Sequence, residues 1–239
     1  MTPPAETAAV REESNRADAI YRTLWDAITE QALVPGTRLP EDVIGERFGV
    51  SRTVVRSALN RLQADRLVEQ KRNRGAFVAS PTQAESRQVF EARRFVEREI
   101  ALALGAVMAP AQIALLEAHV AKERDARDRG DERLSIKLSG QFHTLIAEMH
   151  GNEVLRAFLS ELVSRTSLIL ALYGRPHVAD CSVAEHEQII AAFRAGDGQA
   201  VAQVMQQHLA EVEARADLTP ARSAPTDVRD VLGRYAAKA

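Results

Sequence analysis

The stretch that decides the fold is Val50–Leu62, VSRTVVRSALNRL, which has the pattern of a short amphipathic helix. At about 100° per residue its apolar side chains gather on one face, namely Val54, Val55, Ala58, Leu59 and Leu62. The opposite face is polar and carries Arg52, Thr53, Arg56, Asn60 and Gln63. Ser51 stands at the N-cap position, where its hydroxyl can accept from the free amides of the first turn. The pattern therefore predicts a helix with one core face and one reading face.

A local excess of positive charge begins at this helix. From Ser51 to Arg74 the chain has seven basic and two acidic residues, a net charge of +5, whereas all 239 residues together carry −2. The alternative interpretation is a solvated charged surface. A basic stretch on a two-faced helix within a nearly neutral chain instead favours a polyanion as the partner of this segment.

The segments around the helix predict a DNA-reading module. Apolar spacing predicts a helix over residues 16–32 and a second over Glu41–Phe48. After the reading helix, two short β segments flank Arg72-Asn73-Arg74-Gly75, a basic turn suited to a β-hairpin. The order is helix, helix, turn, helix and wing. We therefore predict a winged helix-turn-helix over residues 14–80, with its third helix free to enter a major groove.

The rest of the chain predicts helices only. Breaks at glycine and proline positions divide residues 84–218 into six helices, at about 84–108, 110–129, 131–150, 152–173, 180–195 and 197–217. A bundle of this size can bury its own core and leave a cavity between helices. The expected fold is mostly α, with an N-terminal winged helix-turn-helix and a C-terminal all-helical bundle. Residues 1–13 are expected to be a disordered tail, and a short helix can form over Asp227–Lys238.

Composition argues against a secreted or membrane protein. The single cysteine, Cys181, excludes an intrachain disulfide and suits a reducing compartment. No apolar run approaches the ~20 residues that span a bilayer, and the first residues lack the plan of a signal peptide. We therefore expect a cytoplasmic protein that does not bind membranes.

The segment from Pro35 to Val78 resembles the winged-helix reader of GntR-type bacterial transcription regulators. The resemblance is carried by PGTRL at 35–39, FGVSRTVVRSALNRL at 48–62 and NRGAFV at 73–78, with Val54 where the family commonly has proline. Arg52, Thr53 and Arg56 are then expected to read base edges or adjacent phosphates. Arg38 and Arg74 are expected to hold the DNA backbone. Ser51 and Gly75 complete the candidate DNA-binding residues.

The remaining helices resemble the effector domain of the FadR branch of GntR regulators, the FCD domain. The motifs are FEARRFVE at 90–97, FH at 142–143, GN at 151–152, EH at 185–186, GD at 196–197 and HL at 208–209. Six helices rather than seven resemble the VanR-like subgroup. The resemblance spans about residues 16–216, and it implies a bundle that binds small acids and often a divalent metal.

Three histidines on three predicted helices form the candidate metal site: His143, His186 and His208. A single histidine is better explained as a buried, hydrogen-bonded side chain, but three in a spaced pattern favour a site. Neutral imidazoles suit Zn²⁺, Ni²⁺ or Mn²⁺, and three protein ligands leave a position open for water or a carboxylate. The resembled family usually has an aspartate four residues before the first histidine, where this chain has Ser139. Loss of that charged ligand predicts weaker affinity and leaves the metal undetermined.

The candidate ligand-binding residues are two cations, Arg93 and Arg165, and a third residue, Ser139. Arg93 lies four residues before Glu97, so it either forms an ion pair along the helix or, as the resemblance implies, faces the cavity to bind a ligand carboxylate. Arg165 lies in an otherwise apolar helix and requires an acidic partner.

Three functions fit these patterns. The first is a ligand-responsive transcription regulator, a repressor released by a small carboxylate metabolite, which binds a palindromic DNA operator as a homodimer. The second is a metal-dependent enzyme with an attached helix-turn-helix interaction module, because three histidines with an open position can activate water. The third is a regulator whose bundle has lost metal and ligand and serves only for dimerisation, an alternative that Ser139 keeps open.

Overall fold

The computed structural model describes residues 5–173, 182–216 and 226–235. The chain forms two compact units, one from the residues up to Ser80 together with those from Arg222 onward, the other from Pro81–Ala221. We call these the first unit and the second unit. Cys181 and parts of the predicted helix ends near residues 180 and 217 lie outside the described residues. None of the helices described is long and apolar enough to cross a membrane.

The elements follow one another in a simple order. The first unit contains α1 (Ala5–Thr29), β1 (Arg38–Leu39), α2 (Glu41–Phe48), α3 (Arg52–Ala64), β2 (Val68–Lys71) and β3 (Gly75–Val78). The second unit contains α4 (Gln83–Gly105), α5 (Pro110–Asp128), α6 (Glu132–His150), α7 (Glu153–Tyr173), α8 (Ser182–Ala195) and α9 (Gly198–Arg215). A last helix, α10 (Val228–Tyr235), belongs to the first unit again.

The core of the first unit forms between α1 and α3. Ile20, Leu24 and Ile28 repeat every four residues along α1 and are fully buried, as are Leu59 and Leu62 on α3. The helices pack on each other along these apolar stripes. The turn between α2 and α3 passes through Gly49 at a φ of +63°, a left-handed conformation that glycine adopts without steric cost.

A three-stranded antiparallel sheet completes the winged helix-turn-helix. Its strand order is β1-β3-β2, and Lys71 pairs with Gly75 next to the hairpin turn. The predicted hairpin is confirmed, and β1 joins it through the pairing of Arg38 with Phe77. Sequence patterns did not predict β1, because a strand of two residues has no measurable alternation.

The prediction of a disordered tail over residues 1–13 is wrong from Ala5 onward, where α1 begins. The segment ETAAVREESNR lacks apolar periodicity, which favoured disorder, but it is rich in alanine and glutamate, which are strong helix formers. Glu12 and Arg16 also form an ion pair one turn apart, which supports this end of the helix.

Over its described residues, 81–173 and 182–216, the second unit forms the predicted bundle of six helices. In it α4 packs on α7 and α9, while α5 packs on α6 and α8. The start of α9 approaches the end of α4 so closely that a Cβ at Gly105 would lie 2.3 Å from the Cα of Gly198. Only glycine fits at this crossing. The contact places α9, which carries His208, directly against α4, which carries Arg93 and Glu97.

Candidate DNA-reading surface and metal centre

The outer face of α3 is open to solvent. Arg52, Thr53 and Arg56 are exposed, while the apolar side chains between them are buried in the first unit. Ser51 occupies the N-cap position, but its hydroxyl does not cap the helix, contrary to the prediction. The Ser51 carbonyl accepts from the Val55 amide at 3.2 Å, which is the first backbone hydrogen bond of the helix itself.

Arg56 is held in place by a residue of α2. Its Nε donates to both carboxylate oxygens of Glu41 at 2.9 Å, although the Arg56 side chain remains 62 % exposed. The hydrogen bond to Glu41, together with the negative charge of that residue, raises the pKa of Arg56. The described hydrogen bonds of Arg56 use Nε alone, so the Nη edge of the guanidinium keeps its donors for another partner. That edge is the part of arginine that can bind guanine with two parallel hydrogen bonds.

The wing presents the remaining basic candidates. Arg38 is exposed on β1, and Arg74 and Gly75 are exposed at the hairpin turn, where Gly75 has a φ of +87°. The guanidinium of Arg74 lies 5.5 Å from the centre of the Phe77 ring, and the Lys71 ammonium lies 4.8 Å from it. Both cations of the wing therefore lie within cation–π distance of the Phe77 ring.

The three predicted histidines come together in the interior of the second unit. His143 on α6, His186 on α8 and His208 on α9 are all buried, and one ring nitrogen of each lies within 4.8 Å of the others. Phe142 stacks on the His186 ring with centroids 4.1 Å apart. The Nε2 atoms of His143 and His208 are 3.2 Å apart. We call these three residues the histidine cluster.

Each ring of the histidine cluster contacts a different glutamate carboxylate through its Nδ1 atom. Nδ1 of His143 contacts Glu97 at 2.5 Å, Nδ1 of His186 contacts Glu123 at 2.8 Å, and Nδ1 of His208 contacts Glu185 at 2.6 Å. An ionised carboxylate can only accept, so each Nδ1 donates to its glutamate. In a neutral ring this arrangement leaves the lone pair on Nε2.

The protonation of the cluster follows from its burial. Burial lowers the pKa of His143 to about 4, although Glu97 opposes the shift. Burial and the neighbouring imidazoles hold the pKa of His208 well below its usual range. Burial by itself would raise the pKa of Glu97, but the charges and hydrogen bonds of His143 and Arg93 outweigh it and bring the pKa to about 2. At neutral pH His143 and His208 are thus neutral and Glu97 is ionised.

Two observations show that this arrangement fits a cation. The Nε2 atoms of His143 and His208 lie only 3.2 Å apart, and the Nε2 of His186 is buried with no hydrogen-bond partner among the described residues. Two ligands of a tetrahedral zinc ion, each about 2.1 Å from the metal, lie about 3.4 Å apart, which is close to the observed separation. Histidines oriented by carboxylates on their other nitrogen are the usual design of metal sites.

Arg93 forms the ion pair that the helical spacing suggested, but the pair is buried rather than exposed. Its Nε lies 2.5 Å from Glu97, and the two side chains are 4 % and 2 % exposed. Glu97 therefore bridges Arg93 and His143. Breaking such a pair by removing one partner typically costs about 3–5 kcal/mol, because the other charge is left buried. Arg93 thus has a structural role whether or not it also meets a ligand.

The other two ligand candidates are not joined to the histidine cluster by any described hydrogen bond. Ser139 is half-buried on α6, one turn before His143. Arg165 on α7 has the acidic partner that was expected, Glu161, at 3.4 Å and one turn earlier on the same helix. Both side chains of that pair are partly exposed, so the charge of Arg165 does not require a further anionic partner.

Glu123 is the residue of the site that sequence reasoning missed. It is fully buried on α5, on the same stripe as Leu116 and Val120. A glutamate at that spacing, on the apolar side of an amphipathic helix, was a detectable signal, because a buried carboxylate needs a partner. Glu185 lies next to His186 in the chain but supports His208 instead. Arg215 neutralises Glu185 from the end of α9.

Comparison with known proteins decides the family. A model of the FCD domain matches residues 88–211, and a model of bacterial regulatory proteins of the gntR family matches residues 16–78. The chain is a GntR-family transcriptional regulator with an FCD domain. The six-helix second unit is the FCD domain, and α1 to β3 form the GntR reader. Some FCD domains bind metals, and GntR regulators bind DNA operators and generally dimerise.

Individual GntR relatives agree with this assignment. The HTH-type transcriptional repressor RspR of Escherichia coli strain K12 is 27 % identical over 195 residues, which are 81 % of this chain and 85 % of RspR. A GntR transcriptional regulator from Rhodococcus sp. RHA1 has a TM-score of 0.76 at 24 % identity, over 92 % of this chain and 99 % of its own. E. coli McbR/YncC has a TM-score of 0.75 at 20 % identity, and the match covers 83 % of this chain and 95 % of the McbR/YncC chain. At these identities the structures show a shared fold.

The family and these relatives are transcriptional regulators and not enzymes. The alternative of a metal-dependent enzyme therefore has no support.

Proposed function

We propose that this GntR regulator represses transcription from a palindromic DNA operator and is released by a small carboxylate metabolite. The observation that carries the DNA-binding part is the exposed face of α3, on which Arg52, Thr53 and Arg56 point away from a buried apolar side. In this proposal those residues read the major groove, while Arg38, Ser51, Arg74 and Gly75 contact the backbone. The name of RspR supports repression.

A homodimer is the proposed binding state. Two copies related by a two-fold axis present two reading helices to two half-sites of opposite orientation. The general dimerisation of GntR regulators supports this state. Since such a regulator acts on chromosomal DNA, we place it in the cytoplasm.

The proposed effector site is the histidine cluster with a divalent metal, Zn²⁺, Ni²⁺ or Mn²⁺. His143, His186 and His208 would hold the metal through Nε2, and Glu97, Glu123 and Glu185 would orient them. The bound metal would supply a positive charge that attracts a carboxylate. With Ser139 in place of an aspartate, the chain leaves one more ligand position to be filled by water or by the effector itself.

Charges already present around the cluster are compatible with an anionic ligand. Glu97 and Glu185 are paired with the cations Arg93 and Arg215. A divalent cation held by the rings would add positive charge to this buried site. A carboxylate ligand would offset that charge, which a buried site favours.

A thermal-shift screen tests the effector site. The untagged protein is heated with each divalent metal alone, with small mono- and dicarboxylates alone, and with each combination. We expect one metal to raise the unfolding midpoint and at least one acid to raise it further only when that metal is present, because ligands stabilise the state they bind. If acids stabilise equally well without metal, the effector does not bind at the cluster. If neither metals nor acids change the unfolding midpoint, the alternative of a bundle that serves only for dimerisation replaces this proposal.

A further inference from the structure

The last described helix, α10, is far in sequence from the helices on which it packs. The FCD match ends at residue 211 and the GntR match at residue 78, so α10 lies outside both family models. In the structure, α10 nevertheless packs on α1 and α2 of the first unit. The chain enters the second unit after Ser80 and returns to the first unit at its other end.

The packing of α10 is that of a core helix. Val228, Val231 and Leu232 are spaced three and one residues apart, so they share one face, and they are 5 %, 0 % and 0 % exposed. Arg229 and Arg234 lie on the exposed side of the same helix. A two-turn helix is not stable alone in water, so this burial is what maintains it.

Polar contacts anchor both ends of α10 to the first unit. Arg47, in the last turn of α2, donates to the Leu232 and Gly233 carbonyls at 3.3 and 3.1 Å, which are carbonyls that a helix leaves unsatisfied at its C-terminus. The Tyr235 hydroxyl bonds to Glu30 beyond the end of α1. Before the helix, the Thr226 amide donates to the hydroxyl of the buried Thr37 at 3.3 Å.

We propose that α10 is a positioning element of the DNA-reading domain, through which the end of the chain holds α2 in its place against α3. The proposal rests on the DNA-binding part of the proposed function. The link to DNA is direct, because α2 carries Glu41, which holds the guanidinium of Arg56. A loosened α2 leaves Arg56 without its fixed orientation. The reader is therefore complete only when residues from both ends of the chain are present.

The single tryptophan makes the proposal testable on the full-length protein. Trp25 lies on α1, so intrinsic fluorescence follows the unfolding of the first unit, while far-UV circular dichroism follows both units. The test variant is Val231→Asn, which places a neutral polar group at a fully buried position. Val231→Ile is the conservative variant, and Arg229→Ala is the matched control on the exposed side of α10.

We expect Val231→Asn to lower the fluorescence midpoint by roughly 5 °C or more, since burial of an unpaired polar group is among the larger destabilising changes. Its DNA binding is then measured at a temperature where fluorescence shows the first unit fully folded. The probe is a duplex that the wild-type protein has selected from a random pool, with a scrambled duplex beside it. We expect the ratio of specific to non-specific affinity to fall about tenfold, to recover in Val231→Ile and to stay unchanged in Arg229→Ala.

An unchanged midpoint, or an unchanged affinity ratio in the folded Val231→Asn protein, would overturn the inference; the second result would reduce α10 to a source of stability only. If the wild-type protein selects no duplex at all, the proposed function fails and this inference with it. The two failures are thus distinguished by the behaviour of the wild-type protein.

Discussion

Replacing Arg56 with alanine is expected to reduce specific operator binding by at least ~30-fold while the unfolding midpoint stays nearly the same. An arginine that binds a base with two hydrogen bonds contributes about 1–3 kcal/mol, and a dimer on two half-sites loses this contribution twice. Stability is spared because Arg56 is exposed, and its contact with Glu41 is an ion pair at the surface. The measurement is a titration of the selected duplex by fluorescence anisotropy.

The matched control for Arg56 is Arg22→Ala, which removes the same charge from an exposed position on α1. Loss of one positive charge weakens binding to any DNA slightly and lowers its salt dependence. Arg56→Ala must differ from this control by losing discrimination between the selected and the scrambled duplex. Equal binding by the two variants would remove α3 from the reading role.

Replacing His186 with glutamine is expected to abolish metal retention. The wild-type protein should keep one equivalent of divalent metal per chain after loading and desalting, measured by elemental analysis. His186 supplies the one Nε2 of the cluster that has no other partner among the described residues, so its loss leaves two histidines and an incomplete site. Glutamine keeps much of the volume that packs against Phe142.

The control for His186 is His119→Gln on α5. His119 contacts the Leu138 carbonyl at 2.8 Å and is not a member of the histidine cluster. Circular dichroism verifies that each variant is folded before its metal is measured. Retention of a full equivalent by His186→Gln, or of none by the wild-type protein, would contradict the assignment of the cluster as the metal site.

Strong periodic patterns made most of this fold predictable. Residues 52–64 show a buried and an exposed side because their apolar positions repeat at helical spacing, and glycine or proline punctuates the six helices of the FCD domain. The three histidines were predictable as a group because each lies in a motif of the family. Their mutual distances were not, since only packing of α6, α8 and α9 brings them together.

What the patterns could not show depends on contacts between segments distant in sequence. Glu123 supports His186 across 63 positions, and Arg47 anchors α10 across 185. The short helix predicted over Asp227–Lys238 is confirmed as α10, but its packing was not predictable, because its apolar face has meaning only beside α1 and α2. Arg93 illustrates a third limit, because the i, i+4 spacing predicted its partner Glu97 but not that the pair would be buried.

The most direct test of the regulator account is the affinity of the wild-type protein for its selected duplex, measured by anisotropy with metal alone, with acid alone and with both. The account predicts that the acid identified by thermal shift changes the dissociation constant at least about fivefold, and only when the metal is present, because a ligand shifts DNA affinity by its preference for one conformation. A dissociation constant that remains the same under all three conditions, with an acid already shown to bind, would contradict it.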